Sequence, residues 1–464
     1  MAEASILAGI PNSPSDYSPV DNYSLSKERQ KVVLNRMYNN GYISEDEMNN
    51  AINEKLVFKN EDFGNGLSSL IYYNDAVMAE LNSINSIPKS YLDTGNIRIY
   101  TTLDVDAQKS LEQGLEKNAV NKKVETSKVM MNPKDGSIIA LIGGINYGNS
   151  QFNRAINSYR QPGSTVKPFL YYRALENGFT PSTTFFSKET TFYFDNKQTY
   201  SPKNYGGIYA NKEISLASAI AYSDNIFAVK THLFLGEDEL YDTLRKVGVT
   251  SKMEKSPSLA LGTYEISIYE LTAAYSTLAN GGKKVDPHLI TKVVDKMGNV
   301  LYEYSEPKEE IVLDSDITFL ISELLTGTYD VNLVDYTYPT CFSMASSITH
   351  KYAIKTGSTD TDSWVVGYTP EIVFASWAGY DDSSNIPTEV IAGNKSSWIT
   401  SMEAYFKEND ATWYKAPENI VGMLVNPITG NPVVSNNENK KILYYLKGTE
   451  PNKLKEESND KKEW

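Results

Sequence analysis

The sequence of 464 residues contains little cysteine and little histidine. Cys341 is its only cysteine, which excludes an internal disulfide and a cysteine-rich metal site. His232, His288 and His350 do not fall in a His-Glu-x-x-His pattern, and no Gly-x-Ser-x-Gly motif supports a Ser-His-Asp triad. We therefore expect no metal and no cofactor. Proton transfer is expected to rely on lysine, aspartate, glutamate or serine.

The chain also lacks long apolar runs and an excess of basic residues. No apolar stretch approaches the roughly 18–20 residues of a membrane span, and no signal peptide opens the sequence, so we expect this chain to be soluble. The net charge of −14 argues against nucleic acid as a partner, because phosphate binding requires lysine and arginine clusters. The length and the hydrophobic content of 41% indicate two or three globular domains.

Hydrophobic periodicity predicts where helices and strands lie. The stretch KVMMNPKDGSIIALIGG (128–144) predicts a β-hairpin, and residues 351–382 predict three antiparallel strands. Helices are expected at 24–58 (two helices), 68–82, 105–117, 163–177, 214–234, 259–282 and 317–325, with a strand at 97–104. The first strands should pair with the final ones. This indicates an α/β fold of the α+β type, a five-stranded antiparallel sheet flanked by helices, with a small N-terminal helical and linker module.

Three short motifs follow one another in the main part of the chain. They are Ser-x-x-Lys at 164–167, Ser-Asp-Asn at 223–225 and Lys-Thr-Gly at 355–357. Ser-x-x-Lys alone is weak evidence because it also occurs at 24–27, 86–89, 305–308 and 458–461. The joint occurrence, in this order and in these contexts, favours a single catalytic site.

The first motif fits a nucleophile with its base. The Pro-Gly turn before Ser164 predicts a helix start, where unpaired N–H groups and the helix dipole stabilise negative charge by about 0.3–1 kcal/mol. Lys167 lies three residues on, on the same face. A lysine acts as a base only when neutral, which requires burial or a neighbouring cation, and Lys355 is the candidate cation. The alternative is an ordinary helix cap with a solvated lysine.

The second motif interrupts a helical run, AIAYSDNIFAVK. Here Ser223 is expected to pass a proton between Lys167 and a leaving amine, and Asn225 to hold Lys167 and a substrate amide. The alternative is a polar kink between two buried helices.

The third motif ends a predicted strand, YAIKTGS. We expect Gly357 to leave the strand edge open for an extended substrate, and Lys355, Thr356 and Ser358 to bind a terminal carboxylate. The backbone N–H groups of Ser164 and Ser358 are expected to form an oxyanion hole. The alternative is a plain strand end.

With these motifs the chain resembles, from residue 1 to about 382, the transpeptidase region of class A (bifunctional) penicillin-binding proteins. The stretches SQFNRAINSYRQPGSTVKPFLYYRALENG, SLALGTYEISIYELTAAYSTLANGG and KTGSTDTDSWVVGYTP contribute to this resemblance. AEASILAGIPNSPSDYSP is similar to the end of the family's glycosyltransferase domain, and IRIYTTLDVDAQ to its interdomain linker. The implied fold is the penicillin-binding or β-lactamase-like transpeptidase fold.

The resemblance implies a domain order and a location. It implies a C-terminal remnant of the glycosyltransferase domain at 1–60, an interdomain linker module at 61–125, a transpeptidase domain at 126–435 and a charged C-terminal tail at 436–464. The glycosyl-transfer residues and the membrane anchor lie upstream in such proteins. We therefore expect no glycosyltransferase activity here, membrane contact only through a missing N-terminal part, and a place at the extracytoplasmic face of the bacterial cytoplasmic membrane.

The implied activity is that of a peptidoglycan D,D-transpeptidase with Ser164 as its nucleophile. The implied partners are D-Ala-D-Ala stem peptides, an amine acceptor, β-lactam antibiotics and the cell-wall synthesis machinery. Three alternatives stay open: a D,D-carboxypeptidase, a β-lactamase-like hydrolase, or a non-catalytic β-lactam sensor or divisome scaffold.

Three features depart from the family's pattern. Ile354 precedes Lys355 where the family usually has Gly, and Ser358 stands where Thr is commoner. Both departures keep the roles of the motif and are expected to alter the strand edge and β-lactam affinity. Residues 329–350 are polar and aromatic and precede the catalytic strand, and we hypothesise that they form a mobile flap.

Overall fold

The computed structural model of the protein describes residues 1–19, 22–56, 69–118, 123–194, 198–305, 309–433 and 439–452. The chain divides into two compact units, Met1–Ser68 and Ser69–Trp464. The domain boundaries expected at 60, 125 and 435 stay predictions. Residues 453–464, most of the expected charged tail, lie outside the described residues.

The first unit is helical. Its helices are α1 Ala2–Gly9, α2 Pro14–Tyr17, α3 Tyr23–Asn39 and α4 Glu45–Asn53, with a 3-10 turn at Ile10–Asn12. Ile6, Leu34 and Ala51 form its small core. Ser44 and Glu47 start α4 with reciprocal side-chain to backbone hydrogen bonds, a capping box that the Ser-Glu-Asp-Glu sequence favours. Helices α3 and α4 are the two helices predicted for 24–58.

The second unit combines helices with small sheets around one large sheet. Its helices are α5 Leu70–Ser83, α6 Lys89–Thr94, α7 Val105–Asn118, α8 Arg154–Asn157, α9 Lys167–Glu176, α10 Leu216–Tyr222, α11 Asn225–Leu235, α12 Glu237–Lys246, α13 Ile268–Ala279, α14 Ser315–Leu325 and α15 Thr388–Glu408. Its strands are β1 Ile97–Thr101, β2 Glu125–Met131, β3 Ile138–Ile142, β4 Thr184–Ser187, β5 Phe192–Tyr193, β6 Thr199–Tyr200, β7 Lys212–Ser215, β8 Lys283–Lys284, β9 Ile290–Asp295, β10 Val300–Glu303, β11 Glu310–Ile311, β12 Ala353–Ser358, β13 Asp362–Tyr368, β14 Val373–Gly379, β15 Ile420–Val425 and β16 Lys441–Leu446. Its 3-10 turns are Gly163–Val166, Tyr205–Gly207, Pro257–Leu261, Thr326–Tyr329, Val331–Leu333 and Phe342–Ser347.

The large sheet confirms the predicted architecture. Its order is β12-β13-β14-β2-β3 with antiparallel pairing, so the first hairpin joins the final meander. Alternate residues of β2 enter different cores: Val129 packs with α13 on one face, and Met130 packs with α7 and α15 on the other. The strands read as near-continuous hydrophobic runs because both faces are covered. The sheet is a rigid support with β12 at its edge.

Several elements differ from the sequence-based expectations. The helix expected at 259–282 begins only at Ile268, because Gly262 has a left-handed φ of +68° and the Ser267 hydroxyl caps α13 by accepting a hydrogen bond from the Glu270 N–H at 3.1 Å. Strand β16 lies within the expected charged tail and pairs with β15, because Leu443 and Tyr445 are buried. Helix α15 was not predicted. No helix in the described ranges has the length and apolar composition needed to cross a bilayer.

Candidate active site

Ser164 lies in the 3-10 turn Gly163–Val166, which leads directly into α9 at Lys167. The turn is held from within by the Thr165 hydroxyl, which donates to the Pro162 carbonyl at 2.9 Å. Ser164 is half-buried and lines a cleft of about 450 Å³. Among the described residues its hydroxyl has no hydrogen-bond partner. The side chain is therefore open to a reactant in the cleft.

Two glycines allow the backbone to pack closely against this turn. A Cβ added at Gly357 in β12 would lie 2.3 Å from the Pro162 carbonyl oxygen, and one at Gly262 would lie 2.2 Å from the Gly163 carbonyl oxygen. Real Cβ atoms essentially never approach within 3.0 Å. Gly357 thus fits the strand against the serine turn. Its expected role in leaving the strand edge open for an extended substrate stays a prediction.

Ser223 and Asp224 form the junction between two buried helices. Ser223 ends α10 in the left-handed region with a φ of +57°, and Asp224 begins α11 by accepting a hydrogen bond from the Phe227 N–H at 2.7 Å. A non-glycine residue in this conformation costs on the order of 1–3 kcal/mol and persists only where its surroundings impose it. The polar kink that the sequence offered as the alternative is present, and within it the Ser223 hydroxyl lies 3.2 Å from the Lys167 amine.

The Lys167 amine is fully buried and bonded to the Ser-Asp-Asn segment. Four acceptors lie within hydrogen-bonding distance of it and share its protons: the Ser223 carbonyl at 2.7 Å, the Ser223 hydroxyl at 3.2 Å, the Asp224 carbonyl at 3.3 Å and Asn225 Oδ1 at 2.6 Å. It makes no hydrogen bond to Ser164. Burial lowers the pKa of Lys167 well below its usual value, Lys355 lowers it further, and Asp224 opposes both. Burial is thus the first cause of the lowered Lys167 pKa, and the candidate cation Lys355 is the second.

The Lys355 side chain extends from the edge strand β12 to Ser223. Its amine donates to the Ser223 hydroxyl at 2.9 Å and to the Thr356 carbonyl at 2.7 Å. Burial lowers the pKa of Lys355 to about 7, partly countered by Cys341 and reinforced by Lys395. Because the Ser223 oxygen accepts from both lysines, its two lone pairs are used and its own proton is left to donate. This arrangement suits a proton relay into the cleft.

The buried carboxylate of Asp224 joins three separate segments of the chain beside the cleft. Its Oδ2 accepts hydrogen bonds from the Ser187 hydroxyl at 2.5 Å, Asn204 Nδ2 at 2.7 Å and the Tyr336 hydroxyl at 3.5 Å. Asn204 in turn accepts a hydrogen bond from the Asn225 N–H at 2.8 Å. Sequence reasoning missed Asn204 and Tyr336 because they lie far along the chain in no local motif.

The edge strand turns part of its backbone away from its neighbour. The Thr359 N–H donates to the Asp362 carbonyl at 3.0 Å, which sets the alternation of antiparallel hydrogen bonds so that the peptide groups of Thr356 and Ser358 face outward from β13. A Cβ added at Gly163 would lie 3.4 Å from the Ser358 nitrogen. The Ser358 N–H is therefore beside the serine turn, where an oxyanion hole requires a donor.

Residues 329–350 pack against the rest of the unit. Leu333 and Cys341 are buried, and the Thr340 N–H donates to the Ala221 carbonyl at 2.9 Å. The Tyr336 ring contacts the Tyr222 ring edge-on at 5.0 Å. This packing does not support the hypothesis of a mobile flap. Residues 336–340 instead form one wall of the cleft.

The remaining departure and the remaining nucleophile lie away from the cleft. Ile354 is buried in a cluster with Trp398 of α15, so its side chain does not narrow the cleft. Burial raises the pKa of the Cys341 thiol, so the neutral thiol is favoured. In the described part of the chain, no group of three or more His, Cys, Asp or Glu side chains is arranged to hold a metal ion.

Comparison with known proteins identifies relatives along most of the chain. Residues 126–394 match the family model described as penicillin binding protein transpeptidase domain. The chain is 39% identical to penicillin-binding protein 2D of Bacillus subtilis over 97% of its own length and 65% of that protein, less than two thirds. It is 28% identical to penicillin-binding protein 1A of Aquifex aeolicus over 97% of its length and 72% of that protein.

Solved structures share the fold. The crystal structure of penicillin-binding protein 1A from Haemophilus influenzae has a TM-score of 0.75 at 22% identity, covering 97% of this chain and 86% of that one. The PonA1 protein from Mycobacterium tuberculosis in complex with penicillin V has a TM-score of 0.63 at 22% identity, covering 76% of this chain and 97% of that one.

Proposed function

The chain belongs to the penicillin-binding protein transpeptidase family, and on that premise we propose that it is a peptidoglycan D,D-transpeptidase that acts through a Ser164 acyl-enzyme. One observation carries the proposal: the Ser223 hydroxyl accepts hydrogen bonds from both Lys167 and Lys355 at the base of the cleft that Ser164 lines. Acyl transfer from an amide needs an activated nucleophile and a group that protonates the leaving nitrogen, and these side chains can supply both.

In the proposed acylation, the Ser164 oxygen attacks the carbonyl between two terminal D-alanines of a stem peptide. Its proton passes to neutral Lys167, which burial keeps below its usual pKa. Ser164 and Lys167 are not hydrogen-bonded to each other in the structure without substrate, and catalytic hydrogen bonds often form only when substrate binds. The N–H groups of Ser164 and Ser358 stabilise the oxyanion. The expected cost of removing one such donor is about 10²–10³ in rate.

The C–N bond then breaks, and the leaving D-alanine nitrogen takes a proton from the Ser223 hydroxyl, which Lys167 reprotonates. Lys355, with Thr356 and Ser358, binds the terminal carboxylate that holds the peptide in place. A carboxylate beside Lys355 favours the charged form of that lysine. An amine of a second stem peptide attacks the ester carbonyl and gives up a proton to Lys167. The C–O bond to Ser164 then breaks, and Lys167 returns that proton to the Ser164 oxygen. β-Lactams would enter the same path and acylate Ser164 with slow release.

The wider context is proposed on the family's organisation. We propose that residues 1–60 correspond to the C-terminal end of the family's glycosyltransferase domain, 61–125 to an interdomain linker and 126–435 to the transpeptidase domain. Residues 436–464 form a C-terminal segment whose strand β16 pairs with β15. The proposed site of action is the extracytoplasmic face of the cytoplasmic membrane. Nascent peptidoglycan and the cell-wall synthesis machinery are the proposed partners.

The experiment incubates the chain with a D-Ala-D-Ala thioester analogue, with and without a D-amino acid as amine acceptor. A transpeptidase gives the amide product in proportion to acceptor, and its penicilloyl adduct lasts for hours. Hydrolysis that ignores the acceptor would assign a D,D-carboxypeptidase, and an adduct lost in seconds would assign a β-lactamase. Penicillin binding without any turnover would assign a sensor or scaffold.

A further inference from the structure

A second cavity lies beside the serine turn and takes no part in the chemistry above. Its volume is about 630 Å³. Tyr159 forms one side of it, and residues between 251 and 265 form the rest. Sites for small molecules in proteins have volumes of about 300–1,000 Å³, so this cavity is large enough for a ligand of one or two sugar rings.

Hydroxyl groups form a row along the cavity. Ser256 Oγ and Ser258 Oγ are 3.1 Å apart, and Ser258 Oγ and Thr263 Oγ1 are 3.0 Å apart. Each hydroxyl donates one hydrogen bond and accepts two, so a chain of three retains free capacity for a ligand. A ligand with many hydroxyl groups of its own matches such a row, since it can donate and accept at each position.

The charges around the cavity fit a neutral ligand better than an anionic one. Lys252, Glu254 and Glu265 line it and are exposed, which gives one positive and two negative charges. Nucleic acid and other phosphate-rich ligands require an excess of lysine and arginine. The exposed carboxylates can accept hydrogen bonds from the hydroxyl and amide groups of a neutral ligand, and the ammonium can donate to their oxygens.

An aromatic ring completes the lining. The Tyr159 side chain is 54% exposed, and its neighbour Arg160 is fixed by a pair of backbone hydrogen bonds with Ile266, each 3.0 Å long. The ring is therefore held at the rim by a backbone that does not move freely. A ring face beside a row of hydroxyls is the chemistry that recognises a pyranose, whose C–H face packs on the ring while its hydroxyls bond.

The cavity also lies within reach of the proposed nucleophile. The backbones of Gly262 and Gly163 touch, and Thr263 and Ser164 are their next neighbours along the chain. These contacts put the Cα atoms of Thr263 and Ser164 within roughly 14 Å of each other. A peptide of four extended residues spans about 14 Å. A stem peptide attached to a sugar in the cavity is therefore long enough to span the distance to Ser164.

We propose that this cavity binds the amino-sugar chain of a peptidoglycan strand, and so positions the attached stem peptide for transfer. The inference deepens the proposed function and rests on it. The same sugars occur in the donor strand and in the acceptor strand, and the experiment separates these two sources.

The probe is peptide-free glycan prepared from peptidoglycan by an amidase, titrated into the full chain by calorimetry. Tyr159→Ala and Ser258→Ala should each weaken glycan binding at least fivefold, with thermal unfolding as the check on their folding. The matched control is Tyr193→Ala, which removes an 80% exposed tyrosine that lines neither this cavity nor the catalytic cleft. It should bind glycan as the unaltered protein does.

Transpeptidation kinetics then identify the strand. If the two cavity variants raise the KM for a glycan-linked donor but not for a peptide-only donor, the cavity binds the donor strand. If they raise the KM for a glycan-linked acceptor but not for a peptide-only acceptor, it binds the acceptor strand. The proposal is overturned if the unaltered protein does not bind glycan, or if both cavity variants bind it with unchanged affinity. A failure of the proposed function would show separately, as absent turnover of the thioester by the unaltered protein.

Discussion

Gly357→Ala tests how the edge strand supports the nucleophile. The added Cβ would lie 2.3 Å from the Pro162 carbonyl oxygen and 2.8 Å from Thr165 Cγ2. Either β12 or the serine turn must move by about 0.7 Å to bring the closer contact to 3.0 Å. A side-chain rotation cannot relieve this contact, because the opposing atom is a backbone oxygen. Misplacing a reacting group by 1 Å costs about 100-fold, so we expect acylation of Ser164 by penicillin to slow by about 10- to 100-fold.

The assay is stopped-flow or gel-based penicillin acylation, with thermal unfolding measured in parallel. Overpacking of this kind destabilises by about 1–3 kcal/mol, so the variant should melt a few degrees lower and remain folded. Gly148→Ala is the control, because its added Cβ would meet only the end of the Asn146 side chain, at 3.1 Å. A folded Gly357→Ala variant that acylates within twofold of the unaltered rate would refute the reasoning. The substitution would then affect only substrates that lie along β12, which is the role of Gly357 expected from the sequence.

Two further predictions concern the groups around Lys167. Lys355→Met removes the second of the two causes that lower the Lys167 pKa, so the Lys167 pKa should rise. Because activation of Ser164 needs neutral Lys167, the acid limb of the pH profile of the acylation rate should move to higher pH. An acid limb that does not move would contradict this explanation. Asp224→Ala leaves the donors of Ser187 and Asn204 without their buried acceptor, which should cost about 3 kcal/mol or more of unfolding free energy in urea. If the unfolding free energy falls by less than about 1 kcal/mol, the Asp224 carboxylate does not hold the segments of Ser187 and Asn204 together.

The sequence was sufficient to predict what depends on local pattern. Alternating and continuous apolar runs predicted the five strands of the large sheet, and the turn residues between them predicted their antiparallel order. The three motifs indicated residues that the structure brings together around Ser223. Each of these inferences depended on spacing over a few residues, and the family resemblance supplied the roles.

Contacts between distant segments were beyond local pattern. Asp224 meets Ser187, Asn204 and Tyr336 only after folding, and nothing in the sequences near those residues indicates it. The close packing of Gly357 on the serine turn was equally hidden, because a glycine at a strand end has several physical explanations. The late start of α13 was also missed, because the sequence does not show that Gly262 adopts a left-handed φ or that Ser267 caps the helix.

The central claim is that Ser164 is the acylated nucleophile. Intact-mass spectrometry after incubation with penicillin, followed by peptide mapping, tests it most directly. The account predicts one penicilloyl adduct on the peptide that contains Ser164, and none in the Ser164→Ala variant. An adduct on another residue, or an adduct that persists in the variant, would contradict it.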